Sequence, residues 1–77
     1  MVDKDIPIGT KVKIDPSSQY YTRNSINNPK KTVGTIINNN ESATHTIRVR
    51  WPEATNCYRD IDLVLVEQIN MESQIFN

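Results

Sequence analysis

Thr46 to Trp51 (TIRVRW) alternates without a break, with Ile47, Val49 and Trp51 at one parity and Thr46, Arg48 and Arg50 at the other. A period of two puts these sets on opposite faces of a β-strand, so one face is core and the other is wet and basic. The surrounding stretch, Thr32 to Leu63, leaves almost no room for helix. Thr32 to Asn38 (TVGTIIN) reads as a strand with Val33 and Ile37 on one side and Gly34 and Ile36 on the other. Glycine inside a strand marks a bulge, a bend or a close backbone approach. Asn38 to Asn40 tolerate left-handed backbone and form the turn between these two strands.

The rest of the chain fits the same grammar. Thr10 to Ile14 (TKVKI) alternates Val12 and Ile14 against Lys11 and Lys13, and Asp15-Pro16 ends that strand. After the turn at Pro52 to Thr55, Asn56 to Arg59 gives a short fourth strand. Asp60 to Asp62 forms a tight corner and Leu63 to Val66 a closing strand. Residues 1–7 are a lead-in, 8–66 the folded unit and 67–77 a tail, a helical turn or disordered, whose Ile75 and Phe76 offer a route to a homo-oligomer. Short strands with turn punctuation predict an all-β, small five-stranded barrel, closed or nearly so, which would remove exposed sheet edges.

With 77 residues and 36% hydrophobic residues, one domain with one small core is available. A domain of about 60 residues buries only about 60% of its unfolded surface, so stability is modest. A single cysteine, Cys57, excludes an intrachain disulfide. No apolar run has the length of a secretion signal or membrane span, which predicts a cytoplasmic protein with no membrane partner. Formal net charge is zero, yet residues 10–59 hold eight Lys or Arg against three acids and the ends hold one Lys against six. A neutral chain segregated in this way can present a basic face to an acidic or nucleic-acid partner, or fold its acidic ends over the basic middle.

The residues Gly9-Thr10-Lys11-Val12, Val33-Gly34-Thr35-Ile36, Ile47-Arg48-Val49-Arg50-Trp51, Asn56-Cys57-Tyr58-Arg59 and Asp62-Leu63 occur in an order that resembles the Mind bomb and HERC-type domain, an SH3-like small barrel. The same skeleton is similar to that of short proteins of tailed phages. The resemblance covers roughly residues 8–66 and implies peptide binding as a class of activity, with the cytoplasm of a phage host as the compartment. Pro52 to Thr55 and Asn27 to Lys31 depart from the glycine-containing loops of that family, and the Asp60-Ile61 interval is shorter than usual.

Chemistry requires more than this inventory supplies. Cys57 and His45 could be written as a nucleophile and a base, but the sequence gives no oxyanion hole, no phosphate-binding glycine loop and no four-ligand metal set. Cys57 reads as a small strand residue and His45 as solvent-exposed. The expectation is a non-enzymatic binding module without metal or cofactor. Its contacts would come from the irregular segment Asp15 to Lys31, where paired Tyr20 and Tyr21 offer rigid area with hydrogen-bonding tips and are favoured over Ile26. Arg23, Arg48, Arg50, Tyr58 and Arg59 complete the expected ligand-binding set. A protein or peptide partner is the leading expectation, consistent with a phage accessory protein. Single-stranded nucleic acid on Arg48, Arg50, Lys11 and Lys13, with tyrosines stacking on bases, is the competitor. Small-metabolite sequestration is the third possibility. For the arginines, an ordinary solvated strand face paired to acids such as Asp60 or Glu53 is the plain alternative.

Overall fold

A computed structural model describes residues 1–66. Five strands, β1 (Lys11–Ile14), β2 (Gly34–Asn38), β3 (Ile47–Arg50), β4 (Thr55–Tyr58) and β5 (Leu63–Leu65), form one antiparallel sheet in the order β4-β3-β2-β1-β5. The chain meanders through β1 to β4, then returns so that β5 pairs with β1, Val12 opposite Leu65 and Ile14 opposite Leu63. Two single 3-10 turns interrupt the loops, Tyr21–Arg23 and Asp60–Asp62. Strand ends fall within two residues of the sequence boundaries. No helix among the described residues is long and apolar enough to cross a membrane.

The barrel is not closed. β4 and β5 are the two edges of the sheet and have no ladder between them. A three-residue 3-10 turn joins them, and its Asp60 carbonyl accepts a hydrogen bond from the Val2 N–H at 3.0 Å. The N-terminal segment thus closes this corner in place of strand pairing. Val2 and Ile6 are buried, so the lead-in is part of the core. The expected tail contacts of Ile75 and Phe76 lie outside the described residues.

Inward-facing residues obey the alternation. Val12, Ile14, Ile36, Ile47, Val49, Trp51, Tyr58 and Leu63 are buried, while Lys11, Lys13, Arg48 and Arg50 lie on the opposite face of the sheet. Each buried aliphatic side chain is worth about 1.5–3 kcal/mol relative to exposure. Gly34 is a close approach: a Cβ there would meet Val49 Cγ1 at 2.5 Å and the Trp51 ring at 2.6 Å. The register break lies further along, where the β2–β3 pairing shifts between Ile36 and Asn38.

Candidate functional site

The segment from Asp15 to Lys31, irregular by pattern, is a built loop that extends through Val33 to the start of β2. Asp15 Oδ1 accepts from the Ser17 N–H and hydroxyl, both at 2.9 Å, and turns the chain out of β1. The Ser18 hydroxyl donates to Asp62 Oδ1 at 2.9 Å and accepts from the Tyr20 N–H, fixing the entry to the first 3-10 turn. Asn24 ends that turn with φ 44°, a left-handed conformation that asparagine tolerates. Ser25 and Asn28 then exchange N–H···O bonds of 3.2 and 3.1 Å, with Ile26 and Asn27 at the tip. Lys31, at φ 59°, turns the chain into β2.

This turn is fastened to the core through one buried hydroxyl. Tyr58 is 0% exposed; its oxygen accepts from Trp51 Nε1 at 2.8 Å and lies 2.8 Å from the Asn27 carbonyl and 2.9 Å from Asn28 Oδ1. A single proton serves one of those acceptors at a time, and Asn56 Nδ2 donates to both, at 3.2 and 3.0 Å. Burial pushes the Tyr58 hydroxyl up to about 12, against the lowering effect of the Trp51 bond. Tyr58 is therefore no part of a contact surface, contrary to the sequence expectation. It stands opposite Ile47 on β3, at the core parity of the alternation.

Tyr20 and Tyr21 are half-buried and pack against the core. The Tyr20 ring meets Tyr58 edge to face, with centroids 5.5 Å apart at 84°, and its hydroxyl is 3.3 Å from His45 Nε2. His45 is accordingly half-buried and has Thr44 Oγ1 at its other ring nitrogen, 3.0 Å away, which corrects the expectation of a free, exposed side chain. Arg23 lies over the Tyr20 ring, 5.5 Å from its centroid, and Lys30 over the Tyr21 ring at 5.1 Å. Both distances are within the range of cation–π attraction. Tyr20, Tyr21 and Arg23 thus belong to one surface, joined by Lys30 and His45, which the sequence reading did not include.

The remaining arginines have other work. Arg59 Nε and its terminal nitrogen donate to the two Asp62 carboxylate oxygens at 3.0 and 3.1 Å, and its N–H adds a third bond at 3.1 Å. Burial opposes charge on Asp62, which is 1% exposed, yet the bonds from Arg59 and Ser18 outweigh it and hold the carboxyl below its ordinary value. Arg59 is therefore a corner strut. Arg48 donates from its terminal nitrogens to Glu41 Oε2 at 3.1 Å and Thr55 Oγ1 at 3.0 Å, with Nε also 3.1 Å from Glu41 Oε1. Its acidic partner is Glu41, across the turn, and neither Asp60 nor Glu53. Arg50 is exposed on the outer sheet face, and Lys11 on that face donates to Thr35 Oγ1 at 2.7 Å. The Cys57 thiol, half-buried beside Arg48, is pushed up by burial.

An open groove of about 420 Å³ runs between Asn24, Ile26, Pro29 and Thr32 of the loop and Pro52 and Glu53 of the β3–β4 turn. Ile26 is 58% exposed, more so than either tyrosine. Among the described residues no group of three His, Cys, Asp or Glu side chains could hold a metal ion. Comparison with known proteins returns no matching family model, no matching curated protein and no matching solved structure.

Proposed function

We propose that this chain is a non-enzymatic, SH3-like binding module that takes a protein or peptide segment on the loop between β1 and β2, as an accessory protein of a phage acting in the host cytoplasm. The SH3-like reading draws on the long loop after β1, the meander of short strands, and the return of β5 to β1. The phage role draws on the residue skeleton described above.

One observation carries the binding assignment. Tyr20 and Tyr21 are held in place by the core, by His45 and by overlying cations, so that loop's aromatic area is ordered before any ligand arrives. Preordering removes a cost that flexible contacts incur on binding. Selection from a displayed random-peptide library tests it. Enriched peptides are expected to bind at least about tenfold more weakly to a Tyr21→Ala, Arg23→Ala variant of unchanged melting temperature. Equal binding to both forms would remove the loop assignment, and no enrichment would remove the module reading itself.

A second reading has its own support. Lys11, Lys13 and Arg50 share the outer sheet face, and none has a carboxylate within 4.0 Å among the described residues. That face suits the phosphates of a single strand. Binding of a short oligothymidylate would then fall steeply with salt and be lost in Lys13→Glu, Arg50→Glu. No binding at low salt disposes of this alternative.

A further inference from the structure

We infer that the partner segment seats in the groove beside the Ile26 turn, and that it is an acidic peptide carrying an apolar side chain; this deepens the peptide-binding reading above and rests on it. A lone exposed isoleucine is ordinary in a soluble protein. Ile26 differs in how it is held. Its turn closes on itself between Ser25 and Asn28 and is tied through Asn27 and Asn28 to Tyr58 and Asn56. Buried polar groups thus fix an apolar tip, with Pro29 and Pro52 lining the same groove. Such a tip loses little backbone freedom when it is covered.

Charge selects the occupant. From Pro16 to Asn40 the chain contains Arg23, Lys30 and Lys31 and no carboxylate. These cations are immediate chain neighbours of groove-lining residues, Arg23 before Asn24, and Lys30 and Lys31 between Pro29 and Thr32. None has a carboxylate within 4.0 Å among the described residues; Arg23 and Lys30 rest on tyrosine rings, which leave their charge uncompensated. Glu53 is the single acid on the facing wall. A segment with carboxylates flanking an apolar side chain complements this arrangement. A nucleic-acid strand complements it poorly. Each tyrosine already has a cation over its ring where a base would stack, Ile26 and the two prolines offer no base-edge partners, and Glu53 would face phosphate.

The test is an amide chemical-shift titration of the full 77-residue chain with three capped hexapeptides and a short oligothymidylate. The peptides are Glu-Asp-Leu-Phe-Asp-Glu, its basic counterpart Lys-Arg-Leu-Phe-Arg-Lys, and the apolar-free Glu-Asp-Gly-Ser-Asp-Glu. The first is expected to shift the amides of Asn24 to Asn28, of Lys30 to Thr32 and of Glu53. Its affinity is expected to fall about tenfold or more in Ile26→Ser and in Arg23→Glu, Lys31→Glu, all of them exposed positions. The inference is overturned if the first peptide leaves those amides unmoved at about 1 mM, if the basic or apolar-free peptide binds as tightly, or if the oligothymidylate shifts the same amides. Library selection that enriches neutral or basic peptides through Tyr21 and Arg23 would overturn this inference while leaving the module reading standing.

Discussion

The Trp51 indole N–H donates to the Tyr58 hydroxyl across 2.8 Å of buried core, and through that oxygen the edge strand β4, with Trp51 just past the end of β3, holds the tip of the loop between β1 and β2. The rings also meet edge to face, with centroids 5.9 Å apart. Tyr58→Phe keeps the ring contacts and removes only the hydroxyl. It strands the buried Trp51 donor, and leaving such a group unsatisfied costs about 1–3 kcal/mol. For a domain of this size that corresponds to a melting temperature lower by roughly 4–8 °C per kcal/mol. Hydrogen exchange should also quicken at the Asn28 amide, which donates to Ser25. A lower melting temperature with unchanged exchange there would mean that the turn holds itself without Tyr58.

Gly34→Ala tests the close approach in β2. The added methyl would overlap Val49 and Trp51, both fixed in the core, and overpacking of this kind costs about 1–3 kcal/mol. Val49→Ala in the same chain opens room beside the new methyl, though Trp51 still crowds it. The double variant should therefore be more stable than the sum of the two single losses predicts, a coupling that thermal melts of all four proteins measure. Strict additivity would show that Gly34 is there for a reason other than space.

Most of the sheet was legible because alternation is a local signal: Ile47, Val49 and Trp51 fall where a period of two puts them. The misreadings came from partners distant in sequence. Tyr58 looked like a surface aromatic because it sits between Cys57 and Arg59 in a polar stretch, and only its pairing with Ile47 sets it inward. Arg59 falls in the expected ligand-binding set, with Asp60 or Glu53 as its alternative partner, because the pattern makes its actual carboxylate, Asp62, a corner residue. An arginine three residues before an acid is a readable pair, but nothing local announces that Ser18, 44 residues away, completes it. The loop seemed irregular for the same reason. Asn24, Ser25 and Asn28 are turn formers by type, and Ser25 bonds Asn28 locally, while the bonds that fasten the turn to the core run from Asn27 and Asn28 to β4.

Asp62 should make the fold sensitive to acid. Its carboxyl lies below the ordinary value of 3.8 in the folded protein. A carboxyl lowered by folding contributes stability that is complete above its unfolded value and is lost as pH falls through that value toward the folded one. The contribution is therefore present at pH 7 and begins to be lost as pH falls below 3.8. Asp15, held down by Ser17, and Glu41, held down by Arg48 and Asn38, act in the same direction. Asp62→Asn isolates the one group. The variant should melt below the native chain at pH 7, and the gap should narrow as pH is lowered below 3.8 and the native carboxyl takes up its proton. A gap that does not change with pH would show that the side chain acts by shape and hydrogen bonding rather than by charge.

Tyr58 carries the opposite prediction at high pH. Its hydroxyl ionises at about 12 in the folded chain, against an ordinary 10.0, because burial disfavours the phenolate. An acid raised by folding contributes stability that is complete below its unfolded value and is lost as pH rises through the folded one. That window runs from 10.0 to about 12. The tyrosinate absorbance near 295 nm should therefore show one late component, and the cooperative loss of the fold should coincide with it, because a phenolate at that position can no longer donate to Asn27 or Asn28. Tyr58→Phe should remove the late component. It should also flatten the decline of stability across this window, even though that variant starts from a lower melting temperature at neutral pH. If the late component survives in Tyr58→Phe, the buried hydroxyl that anchors the loop belongs to another tyrosine.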